Sequence, residues 1–91
     1  MKIKKTYTLC GYKIKVKMVD TMDFAGLYDN QKNTIYLSTR QSQEDLEKTF
    51  YHECIHVLQY KTGIHQAVSR ELMEVMAETG SNLIFDLIGK K

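Results

Sequence analysis

Two histidines four positions apart enclose a glutamate in the run His52-Glu53-Cys54-Ile55-His56, an H-E-x-x-H pattern. On a helix, side chains at i and i+4 lie one above the other, so both imidazoles address one point and can share one cation. Imidazole nitrogen suits Zn²⁺, and Glu53, one position on, projects toward the same side. Zinc at such a point lowers the pKa of a water to about 7, and a carboxylate within hydrogen-bonding reach can take the water's proton as it attacks a carbonyl. The chemistry expected is metal-assisted hydrolysis, with His52 and His56 as ligands and Glu53 as general base. A catalytic site needs a third protein ligand and an open fourth position. His65 lies nine residues beyond His56 and past Gly63, a spacing that fits poorly. Further on, Glu71, Glu74 and Glu78 form an acidic stripe, one member of which would complete a His₂Glu set. Glu74 is the first choice and Glu78 the alternative, the remainder of the stripe being read as a solvated face. Tyr60, one turn beyond His56 on the same arc, is a lesser candidate for steadying an oxyanion.

These residues do their work only if helices carry them. Ser42 is a good N-cap, Glu44 and Asp45 suit a first helical turn, and no Gly or Pro interrupts the chain before Thr62-Gly63, which predicts a helix over about 43–61. Leu46, Phe50, Tyr51, Cys54, Ile55, Val57 and Leu58 cover most of its circumference, so it should be largely buried, with Thr49, His52, Glu53 and His56 on the arc left over. Helical spacing returns over about 67–88. There Val68, Leu72, Val75, Met76, Thr79, Leu83 and Leu87 are expected to face the core, beside the stripe of Glu71, Glu74, Glu78 and Asn82.

Residues 1–40 read as strands. Tyr12, Ile14, Val16 and Met18 alternate with Lys13, Lys15 and Lys17, the pattern of a half-buried antiparallel strand with a solvated lysine face. Cys10-Gly11 offers a turn from the preceding run Ile3 to Leu9, and Asp29-Asn30-Gln31-Lys32-Asn33 separates Gly26-Leu27-Tyr28 from Thr34-Ile35-Tyr36-Leu37-Ser38 as a second hairpin. Strands first and helices after predict one α+β domain over 1–91, with a three- to four-stranded, mainly antiparallel sheet followed by two helices.

Composition excludes several classes. Apolar residues at 43% and charged residues at 26% are ordinary for a globular chain. Thirteen basic against eleven acidic residues leave a formal charge of +2, too weak for a nucleic-acid footprint. No run approaches the roughly 20 apolar residues of a membrane span, and the basic start lacks the apolar core of a signal peptide. Cys10 and Cys54 are the only cysteines, and Cys54 is expected to be a packed thiol on the helix face away from the His pair. Two reduced thiols favour a cytoplasmic location.

The run Thr49-Phe50-Tyr51-His52-Glu53-Cys54-Ile55-His56, followed after a loop by Glu74-Val75-Met76-Ala77 and an apolar helix ending Leu83-Ile84-Phe85-Asp86-Leu87-Ile88, resembles the small gluzincins. It looks like the ImmA/IrrE-type and minimal phage-encoded metallopeptidases, and the resemblance spans about Gly26 to Ile88. It implies a zincin-like domain with zinc held by His52, His56 and Glu74 and with Glu53 as catalytic base. It also implies a peptide or protein substrate held extended along the edge strand of the Gly26 to Leu37 hairpin, placed at Ile35, Tyr36, Leu37 and Ser38. Many larger relatives carry Glu-Ala-Asn where this chain has Glu74-Val75-Met76, so Glu78 stays open as third ligand. The function expected is that of a zinc-dependent metallopeptidase. Its rival is a non-catalytic zinc-binding module of phage or mobile-element origin that works through a protein partner, with the fourth zinc position closed by His65 or a second Glu.

Overall fold

Short strands that alternate apolar and polar residues bury one face only, and that face must be covered by another layer. The computed structural model, which describes residues 2–89, meets this requirement with a sheet under a helix pair. Strands β1 (Thr6–Leu9) and β2 (Tyr12–Val19) form the first expected hairpin. Its turn places Cys10 at φ 52° and Gly11 at φ 81°, left-handed values that match a tight turn to strand twist. Strands β3 (Gly26–Asp29) and β4 (Thr34–Ser38) form the second. There the Asp29 carboxylate accepts from the N–H groups of Gln31 and Lys32 at 3.0 and 3.2 Å, and Asn33 takes φ 48°.

The strand order is β1-β2-β4-β3, with β2 and β4 parallel and the other two ladders antiparallel. This order corrects the expected peptide-binding edge. Ile35, Tyr36, Leu37 and Ser38 lie on β4, an interior strand whose two sides are already bonded to β2 and β3, so no further strand can add there. Ile35 and Leu37 are wholly buried in the core. The free edge on this side of the sheet is β3.

Helix α1 (Gln43–Lys61) has the predicted bounds. Ser42 Oγ accepts from Asp45 N–H at 3.1 Å, and Gly63 at φ 81° follows its end. Phe50, Tyr51 and Val57 of α1 cover Ile14, Val16, Ile35 and Leu37 of the sheet, with Phe85 joining from the last turn of the chain. Burying an aliphatic or aromatic side chain of this size contributes about 1.5–3 kcal/mol. The core lies over the middle of β2, so Tyr12 and Met18, expected inside, are exposed, as are Lys13, Lys15 and Lys17 on the outer face. On α1, Leu58 is likewise exposed, whereas Glu47, Glu53 and Gln59 are buried.

The predicted 67–88 helix is divided. A single turn, α2 (Ile64–Ala67), precedes α3 (Arg70–Ile84), which is capped by Ser69 Oγ accepting from Leu72 N–H at 3.1 Å and followed by a wider π-helical turn, Phe85–Gly89. The buried face of α3 also differs from expectation. Met73, Ala77 and Ser81 point inward, while Leu72, Val75, Leu83 and Leu87 are 45–64% exposed. On the inward face α3 packs closely on α1: a Cβ added to Gly80 would run into the terminal methyl of Ile55, which would have to move to admit it.

Among the described residues no helix is long and apolar enough to cross a membrane. Cys10 is exposed and Cys54 half-buried, and neither is in a disulfide.

Candidate metal centre

The close approach of α3 to α1 brings the H-E-x-x-H strip against the acidic stripe. The rings of His52 and His56 stand 4.9 Å apart between centroids. His56 Nε2 lies 2.9 Å from Glu74 Oε1, and His52 Nε2 lies 3.5 Å from Glu74 Oε2. One ligand atom from each of these three residues lies within 4.8 Å of the other two, the single such His/Cys/Asp/Glu group among the described residues.

The three residues could hold a metal ion, and two imidazoles with a carboxylate are donors of the kind Zn²⁺ takes. The two rings face different oxygens of Glu74, and Glu74, with 58% of its side chain exposed, leaves the solvent side accessible.

Both outer ring nitrogens are also engaged. His52 Nδ1 lies 3.3 Å from Glu78 Oε2, so Glu78, the alternative third ligand, stands behind His52 and outside the donor group. His56 Nδ1 lies 2.8 Å from Gln59 Oε1. His65 is also outside the group: its Nδ1 lies 3.3 Å from the Gln59 carbonyl oxygen and its ring stacks on Tyr60 at 4.6 Å. Tyr60 meets Tyr28 edge-on at 6.0 Å, forming an aromatic wall beside His56.

Glu53 is only 6% exposed. Burial, with the Glu74 carboxylate adding to it, pushes the Glu53 carboxyl up to about 7. Its position depends on Gly26 of β3. A Cβ at residue 26 would fall 2.5 Å from the Thr49 methyl and 3.1 Å from Glu53 Oε2, so only glycine lets the strand lie against the helix here. Gln41 ties the two elements together. Its Nε2 donates to the carbonyls of Ala25 and Ser38 at 3.1 and 2.8 Å, and its Oε1 accepts from Thr49 Oγ1 at 2.9 Å.

A cleft passes over the site. One depression is bordered by Tyr28, Tyr60, Arg70 and Met73, the other by Gln41, Asp45, Lys48 and Asn82, and Gly26, His52 and Glu53 line both. Cys54 packs against the core, and burial with the neighbouring Glu53 pushes its thiol up to about 12, which makes it a poor nucleophile.

The structure therefore brings together His52, Glu53, His56 and Glu74, sets Glu78 behind His52, and leaves residues 35–38 away from any free edge. Sequence reasoning did not single out Gln59 or Gln41, nor the contact at Gly26. Gln59 had a signal: it stands three residues past His56 on the same helix, the spacing at which side chains meet. Gly26 had one too, as a glycine inside a strand, which often marks close approach of another element. Gln41 lies in a loop before a cap and carried none. Compared with known proteins, the chain matches no family model and no curated protein.

Proposed function

We propose that the protein is a zinc-dependent peptidase of the zincin type. The observation that carries this reading is the convergence of His52 Nε2, His56 Nε2 and the Glu74 carboxylate beside the buried Glu53, in a cleft bordered by the free edge of β3. A Zn²⁺ held by these three residues supplies Lewis acidity toward a water and a substrate carbonyl. Glu53 would take the proton from the attacking water and return it to the departing amine, as a carboxylate within hydrogen-bonding reach of that water can.

The sheet edge positions the substrate. The hydrogen bond from Ser38 N–H to the Ala25 carbonyl sets the alternation of the β3–β4 ladder, which turns the N–H and C=O of Gly26 and Tyr28 outward. An extended peptide pairing with these groups runs past Glu53. An open fourth metal position is supported by the placement of His65 and Glu78, since the closing side chains that a partner-binding module requires are engaged elsewhere. The two thiols outside any disulfide fit a reducing, cytoplasmic setting.

The test is digestion of a random peptide library by the Zn²⁺-loaded protein and by Glu53→Gln. Cleavage by the parent, reduced about 10²–10⁴-fold in a variant that still binds zinc, is the expected result. Equal cleavage by both proteins would remove Glu53 from the mechanism.

A further inference from the structure

Gln59 has no exposed surface, although it carries a primary amide. Both ends of that amide are bonded: Nε2 donates to the Met73 carbonyl at 3.0 Å, and Oε1 faces His56 Nδ1 at 2.8 Å. The direction of each bond follows from chemistry. A backbone carbonyl only accepts, so the NH₂ end of Gln59 must face Met73. Oε1 is then the end presented to His56, and because it too only accepts, Nδ1 must carry the hydrogen. Nε2 faces the Glu74 carboxylate at 2.9 Å, which also only accepts, so without a cation that nitrogen is drawn to donate as well; a cation at Nε2 would take the place of that hydrogen while Gln59 keeps the one on Nδ1.

The second bond has a separate effect. Met73 immediately precedes Glu74, so the amide joins the His56 ring on α1 to the turn of α3 that bears the third ligand. His52 has no equivalent tie, because its outer partner Glu78 is an acidic side chain with 67% exposure.

We propose that Gln59 is the positioning residue of the metal centre, setting the tautomer of His56 and holding the Glu74 turn at ligand distance from it. The proposal rests on the reading of His52, His56 and Glu74 as a cation site, and it makes one prediction that requires no metal. In the metal-free protein the imidazole ¹H–¹⁵N spectrum of His56 shows a hydrogen held on Nδ1 by the bond to Gln59. In Gln59→Leu, similar in volume but without either hydrogen bond, the protection of that Nδ1 hydrogen is lost. Titration with Zn²⁺ alone then shows affinity reduced about 10–100-fold in Gln59→Leu, the range typical of outer partners of ligating histidines. The far-UV spectrum stays that of the parent.

The outcomes separate the two ideas. An Nδ1 that carries no hydrogen in the parent overturns the proposal, whether or not Gln59→Leu folds. Parent-like zinc affinity in a folded Gln59→Leu also overturns it while leaving the donor set intact. Failure of the parent to bind Zn²⁺ removes the metal-centre role and with it the proposal, while the ¹H–¹⁵N spectrum still reports whether Gln59 orients His56.

Discussion

The two faces of α3 carry opposite kinds of residue. Ala77, Gly80 and Ser81 lie toward α1, whereas Leu72, Val75 and Leu83 lie toward solvent. By transfer free energy alone the larger set would be buried. The small set is the one in contact, with Gly80 against the Ile55 side chain, and in this packing Glu74 lies 2.9 Å from His56 Nε2. A face built from leucines would bury more area and hold the Glu74 carboxylate away from the histidines.

The sharpest way to probe this contrast is at its acidic border. Glu74→Ala is expected to lower Zn²⁺ affinity by more than about 100-fold, and Glu78→Ala by about 10–100-fold, the latter being the effect of losing an outer partner of a ligand. Calorimetric titration of both variants gives the ranking, and a larger loss at Glu78 would move the third ligand there.

A second probe uses the charge enclosed by the same contact. Glu53 has a folded pKa of about 7 against a usual 4.5. Between those values the folded metal-free protein holds a proton that the unfolded chain has released, so the contribution of Glu53 to stability is fully present below about 4.5 and is lost as pH rises toward 7. At 1.36 kcal/mol per unit, the penalty approaches roughly 3 kcal/mol. Urea unfolding across this range should show the decline in the parent and a smaller one in Glu53→Gln. Parallel profiles would mean that Glu53 is better solvated than its burial indicates.

Smaller effects come from the two faces directly. Ala77→Leu, at a site with no exposed surface, is expected to cost about 1–3 kcal/mol through overpacking and to weaken zinc binding as the helices separate. Leu83→Lys, at a site 58% exposed, should change stability by less than about 0.5 kcal/mol. Denaturation midpoints that reverse this order would mean that α3 turns its other face inward. The least effect concerns the thiols: under native conditions an alkylating reagent should modify exposed Cys10 and spare Cys54, and mass spectrometry shows which residue is labelled.

Several of these features were legible from residue order. Ser42, the acidic first turn and Thr62-Gly63 mark the limits of α1 through local capping and chain stiffness, and both hairpins follow from turn residues that tolerate positive φ. The i, i+4 spacing on α1 places the two imidazoles together without reference to anything distant. What failed was non-local. Alternation along Thr34–Ser38 identifies a strand but not its neighbours, so nothing in it indicates that β4 lies inside the sheet and β3 at the edge. Helical periodicity on α3 marks an apolar stripe, but the small-residue face, with Gly80 against Ile55, is the one packed on α1, and periodicity alone does not say which face meets a neighbour. Glu74 and Glu78 stand one turn apart on one helix, and only the offset of α3 along α1 decides that Glu74 faces His56 Nε2 while Glu78 faces His52 Nδ1.

Titration of the metal-free protein with Zn²⁺, alongside His52→Ala, tests the shared cation site most directly. The predicted result is one ion per chain in the parent and loss of that binding in the variant. A parent that takes up no zinc, or a variant that binds it as tightly, would contradict the assignment of His52, His56 and Glu74 as a metal centre.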